Sequence, residues 1–128
     1  MGFIARTKRP CALQMKVLIM SLNLPFPIER YFDSEKSDQT EALSECFAAD
    51  ATVIDEARTH KGLEAIKAWR ADTKSKFDYR VLPQDVKEED GRTIVAARVE
   101  GNFPGSPVVL NHVFRISEGR IASLEIRP

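Results

Sequence analysis

Three polar side chains fall on faces that are otherwise apolar: Tyr31, Asp55 and His112. A phenol, a carboxylate and an imidazole are side chains that share, take and give protons, so their convergence would make a proton-handling site. Each also has a plainer reading. Tyr31 fits an amphipathic helix with its hydroxyl at the rim. Asp55, at a strand end, would cap the loop that follows or pair with Arg58. His112 taken alone is a satisfied interior histidine. An aspartate facing apolar surface is costly to bury without a purpose, which favours a pocket role for Asp55. His60 reads as a surface loop residue, and Trp69 as core or pocket wall. Neither histidine has a Cys or His partner at ligand spacing, so no metal and no cofactor is expected. Cys46 lies in a helical apolar pattern and reads as a small buried hydrophobe, while Cys11 lies in the N-terminal stretch, which argues against a bridge between them.

The elements that must position these residues follow from periodicity. Pro25 and Pro27 suit a first helical turn, and Ile28, Tyr31, Phe32 and Glu35 follow at helical spacing. Asp38 and Glu41 form a capping pair opening a second helix, whose buried side is Leu43, Cys46 and Phe47. Residues 51–55 are a β-branched run and hence a strand, with a loop over 56–61. After Gly62 a third helix places Leu63, Ile66 and Trp69 on one face. Strands follow at 79–88, 92–103, 107–117 and 120–127. Asp90-Gly91 and Glu118-Gly119 separate two pairs of them, and Pro104-Gly105 fits the centre of a type II turn. Parity puts Val53 and Asp55 on one face of their strand, and Val95, Ala97, Val99 and Phe103 inward on theirs. It also groups Leu110, His112, Phe114 and Ile116, and turns Arg98, Glu100 and Asn102 outward. Helices first and a meander afterwards predict an α+β fold, with three N-terminal helices packed on a curved antiparallel sheet.

The chain has 128 residues, with 43% hydrophobic and 30% charged, enough for one domain with its own core. Nineteen basic and nineteen acidic groups cancel, but four of the basic ones lie in residues 1–24, which hold no acid. Residues 25–128 keep 15 basic against 19 acidic groups, a net charge of −4. An acidic body excludes a polyanion-binding role, so no nucleic-acid partner is expected. No apolar run is long enough for a membrane span. Residues 1–24 only superficially resemble a signal peptide, since Lys16 interrupts the apolar stretch and no small-x-small cleavage site follows. They read as a disordered basic extension before a domain over 25–128, with Met15 or Met20 as an alternative start and a cytoplasmic location by default.

The stretch Phe47-Ala-Ala-Asp-Ala-Thr-Val-Ile-Asp-Glu56, then His60-Lys-Gly62 opening a helix, then a meander ending Val113-Phe-Arg-Ile-Ser-Glu-Gly-Arg-Ile121, resembles the nuclear transport factor 2-like superfamily and its SnoaL-like group. The resemblance spans residues 25–127. It implies a cone-shaped, cystatin-like fold whose sheet and helices enclose a pocket at the open end. That fold hosts enzymes, binding modules and adaptors alike.

Ketosteroid isomerases of the superfamily read Ala-Thr-Val-x-Asp with the Asp as general base, a position that Asp55 occupies here. Tyr31 stands 24 residues before Asp55, matching their oxyanion-binding tyrosine, and His112 stands where their second donor precedes a Val-x-Arg segment. Glu56 replaces their proline. The resemblance thus implies a carboxylate base, Asp55, acting on a carbon acid beside a carbonyl, with Tyr31 and an imidazole N–H of His112 steadying the enolate. Pocket walls are expected from Phe32, Phe47, Val53, Trp69, Val99, Phe103, Phe114 and Leu124. SnoaL-type cyclases add an acid on the last strand, but Glu125 alternates against Leu124 and Ile126 and points outward. The expected partner is a small hydrophobic molecule, with a homodimer through the sheet. The alternative is a non-catalytic ligand-binding or dimeric interaction module using the same fold.

Overall fold

A computed structural model describes residues 22–37 and 39–128. The expectations for residues 1–21, Cys11 included, and for Asp38 as a cap lie outside the described residues. Helix α1 spans Phe26–Ser34, with Pro25 as its N-cap and Pro27 in the first turn, where a missing N–H costs nothing. Its buried face carries Ile28, Tyr31 and Phe32. A 3-10 helix, Thr40–Glu45, takes the place of the expected second α-helix and buries only Leu43. Cys46 ends it, and its carbonyl accepts from the Ile121 amide at 2.8 Å. That bond pulls Phe47 out of the helix and into the sheet.

Strand β1 spans Phe47–Asp55, four residues longer at its start than the β-branched run suggests. The added Ala48, Ala49 and Asp50 are poor strand formers, and the register shifts across them. The expected loop after Asp55 is instead a hairpin: β2, Arg58–Lys61, pairs antiparallel with β1. Its turn residues, Glu56 (φ 52) and Ala57 (φ 64), both lie in the left-handed region, as a type I′ turn demands. Helix α2 (Leu63–Lys76) follows, then β3 (Tyr79–Glu89), β4 (Arg92–Gly101), β5 (Val108–Ser117) and β6 (Arg120–Arg127). Asp90-Gly91 and Glu118-Gly119 make the expected tight turns, all four residues at positive φ. Ser106 N closes the Pro104-Gly105 turn onto the Phe103 carbonyl at 3.2 Å.

The six strands run in the order β2-β1-β6-β5-β4-β3. All neighbours are antiparallel except β1 and β6, which are parallel, so the sheet is mixed rather than antiparallel throughout. No local pattern in either strand reports this, because a parallel pair is set by the long connection between its members. β3 is an edge strand, where Pro83 loses no ladder bond, and the pairing shifts between Pro83 and Asp85. No helix among the described residues is long and apolar enough to cross a membrane.

Register sets what lies deep and what lies near the mouth. Val53, Leu124, Phe114 and Thr93 form one row across β1, β6, β5 and β4, and all four are buried. Two residues along each strand, Asp55, Ile126, His112 and Val95 form the next inward row. Val53, Leu124 and Phe114 of the first row share the closed core with Tyr31, Phe32 and Phe47. In the second, Asp55, Ile126 and His112 border a cavity, while Val95 stays in the closed core. Ile116, expected to share the His112 face of the core, runs past its edge and is 36% exposed.

Candidate functional site

The cavity, about 320 Å³, opens between the ends of α1 and α2 and the mouth of the sheet. Asp55, Ile126, His112 and Leu110 form the sheet side; Trp69, Thr73 and Phe77 come from α2 and its end; Tyr79, Val81, Val99, Phe103, Pro104 and Val108 close the far wall. Glu35 and Glu56 complete the lining. Asp55 and His112 both flank Ile126 on adjacent strands, so their Cα atoms stand two strand spacings apart, about 10 Å, on the same face.

Asp55 does not pair with Arg58, its neighbour across the hairpin. One of its oxygens, Oδ2, accepts from the Trp69 indole N–H at 3.0 Å. This makes Trp69 a wall that also fixes the carboxylate. His60, expected on a surface loop, is half-buried on β2 with its ring 6.0 Å from that of Trp69.

His112 is 2% exposed, and burial pulls its imidazole down to about 4, so the ring is neutral. Its Nδ1 lies 3.3 Å from the Leu110 carbonyl, which only an N–H can satisfy. The neutral ring therefore carries its proton on Nδ1 and keeps a lone pair on Nε2. The expected imidazole N–H for an enolate oxygen is not on offer; His112 presents an acceptor instead.

Tyr31 is fully buried, lies behind the cavity wall and donates its hydroxyl to Glu35 Oε2 at 3.2 Å. Burial and the Glu35 charge push its pKa well above the usual phenol value. Phe32, Phe47, Val53, Phe114 and Leu124, expected as pocket walls, are also core residues, one row too deep to reach the cavity. Trp69, Val99 and Phe103 do line it.

Residues that sequence reasoning passed over, Arg70, Lys74 and Tyr79, join Tyr31 in a buried cluster around Glu35. Its carboxylate meets Arg70 Nη2 at 3.3 Å and Lys74 Nζ at 3.8 Å, and accepts from the Tyr31 and Tyr79 hydroxyls at 3.2 and 3.3 Å. Arg70 is 2% exposed; its Nη1 donates to Ser34 Oγ at 3.0 Å. Its Nη2 contact with Glu35 is an ion pair too poorly aligned to count as a hydrogen bond. Desolvation is the largest single influence on the guanidinium and opposes its charge, but Glu35, Tyr31 and Tyr79 together more than offset it and the Arg70 pKa rises. Burial, then Glu35, raises the Tyr79 hydroxyl as well. Gly101 lets this wall form: a Cβ there would overlap the Asp78 carbonyl and lie 2.7 Å from Tyr79 Cα. The signal for Arg70 was available, since it sits four residues after Ile66 on the buried stripe of α2. Among the described residues, no cluster of His, Cys, Asp and Glu could hold a metal ion. Cys46 is a free thiol that burial pushes up to about 11.

A curved mixed sheet, helices packed on its inner face and a cavity at the open end define a nuclear transport factor 2-like fold. Solved structures agree. A Catenulispora acidiphila protein with a ketosteroid isomerase-like fold matches at a TM-score of 0.72 and 22% identity, over 83% of this chain and 87% of its own. A nuclear transport factor 2-like protein from Cytophaga hutchinsonii matches at 0.60 and 11%, over 94% and 91%. At the level of sequence, the SnoaL-like domain profile matches residues 28–124, and the chain belongs to that family. A Sinorhizobium meliloti protein, SMa1630, that carries the provisional name polyketide cyclase is 43% identical, covers 84% of this chain and 98% of its own, and superposes with a TM-score of 0.79. Among proteins with curated descriptions, none matches.

Proposed function

We propose that the cavity takes a small, mainly apolar molecule and that Asp55 removes a proton from a carbon next to its C=O or C=N group. One observation carries this reading: the Asp55 carboxylate lines an apolar-walled cavity with Oδ2 held by Trp69, while Oδ1 has no partner and no cation pairs with it among the described residues. A held, unneutralised carboxylate facing apolar walls is the arrangement that a carbon acid requires of its base. The provisional name of the Sinorhizobium meliloti relative, polyketide cyclase, belongs to the same broad class of chemistry beside a carbonyl. The test is deuterium exchange at the carbon beside that double bond, measured with and without Asp55→Asn.

Binding without turnover is the second reading. It is favoured by the donor side of the site, since Tyr31 is closed off and His112 offers a lone pair where an enolate would need an N–H. Under it, ligand raises the melting temperature and continues to do so in Asp55→Asn.

A further inference from the structure

The hydrogen-bonding sense of the cavity wall points to a class of ligand. Four lining side chains carry donors, and all four are committed within the protein. The Trp69 N–H goes to Asp55, Thr73 Oγ1 to the Trp69 carbonyl at 3.0 Å, the Tyr79 hydroxyl to Glu35, and His112 Nδ1 to the Leu110 carbonyl. The lining side-chain atoms without a partner among the described residues all accept: Asp55 Oδ1, the Glu56 carboxylate and His112 Nε2. His112 is a second observation independent of the acids, since a ring that is 98% buried has an unpartnered nitrogen on a cavity-lining residue.

Charge runs the same way. The lining includes Glu35, Asp55 and Glu56 but no Lys or Arg. Arg70 and Lys74, packed against the lining residue Glu35, are engaged by its carboxylate and stand outside the lining. Trp69, Phe77, Tyr79 and Phe103 supply an aromatic wall, in which Tyr79 and Trp69 already carry Lys74 Nζ and the Arg70 guanidinium over their rings, at 4.3 and 5.7 Å. An anion would meet carboxylates, and a neutral ketone would bring an acceptor to a wall of acceptors.

We propose that the ligand is a small nitrogenous cation with an apolar body, a protonated amine or imine, its N–H groups directed at Asp55 and His112 Nε2. The inference rests on the cavity as the ligand site, which both functional readings share. It also removes a difficulty in the base reading. When Asp55 takes the proton from the carbon next to a protonated C=N, the C–H electron pair forms the new C=C. The C=N π pair moves onto nitrogen, leaving a neutral enamine and a protonated Asp55. No negative charge develops on the substrate, so no oxyanion donor is required.

The experiment is an NMR titration of the whole chain with three five-membered-ring probes: 2-methyl-1-pyrroline in its protonated form, cyclopentanone and cyclopentanecarboxylate. The cation is expected to bind about tenfold more tightly than the ketone, a difference of about 1.4 kcal/mol, with the carboxylate weakest. Asp55→Asn should abolish that preference. Glu56→Gln, on the exposed rim, should reduce it two- to threefold and serves if Asp55→Asn fails to fold. Preference for the ketone or the carboxylate overturns the proposal while leaving Asp55 as a candidate base. A cation preference that survives both substitutions also overturns it. If none of the three probes binds, the cavity is not the ligand site, and the proposal and both functional readings fall together.

Discussion

At the scale of single residues, two buried groups dominate the electrostatics of the molecule. The His112 imidazole falls from its ordinary value of 6.5 to about 4 because burial penalises its charged form. Between those values the unfolded chain binds a proton that the folded chain refuses, so stability rises with pH through that window. Between pH 4.5 and 7.5 this one residue is expected to contribute roughly 2 to 3 kcal/mol. Urea unfolding of the wild type and of His112→Gln at both pH values checks it: the variant should lose that part of the pH dependence, and equal dependence in the two would refute it. The second group is Arg70. Its removal leaves Glu35 buried with Lys74 at 3.8 Å as its remaining cation, so Arg70→Met is expected to cost about 3 kcal/mol. Arg70→Met combined with Glu35→Leu should recover most of that loss in the same assay, because the uncompensated charge is gone.

At the scale of elements, the order of helices and strands was legible, and so were the two Xaa-Gly hairpins and the inward parity of Asp55 and His112. Three features were not. The β1–β2 hairpin turns on Glu56-Ala57, residues that do not advertise a type I′ turn, so the segment looked like a loop. Ala57 sits at φ 64, where an L side chain costs about 1 kcal/mol, and Ala57→Gly is expected to raise stability by about that amount in thermal unfolding. The parallel pairing of β1 with β6 left no trace in either strand, since direction is set by connections rather than by side-chain alternation. Depth was the other failure. Parity tells which face a residue takes but not how far along the cone it lies. Phe114 and Leu124 thus shared a face with His112 and Ile126 yet belong to the closed core, one row deeper.

At the scale of the whole molecule, a mainly apolar cavity bordered by three carboxylates sits at the mouth of an apolar core, beside the Glu35–Arg70–Lys74 cluster between α1 and α2. The resemblance to the nuclear transport factor 2-like superfamily identified the fold and the position of Asp55. It could not foresee that Tyr31 would turn its hydroxyl to Glu35, or that the Leu110 carbonyl would fix the protonated nitrogen of His112, because both depend on partners brought close only by folding. Asp55 is therefore the residue on which the proposed proton transfer in this cavity depends. Its most direct test is NMR-detected deuterium incorporation beside the C=N of 2-methyl-1-pyrroline and beside the C=O of cyclopentanone, with wild type and a folded Asp55→Asn variant. The substitution is expected to slow protein-catalysed exchange at least about 100-fold. Exchange that persists undiminished in Asp55→Asn would contradict it.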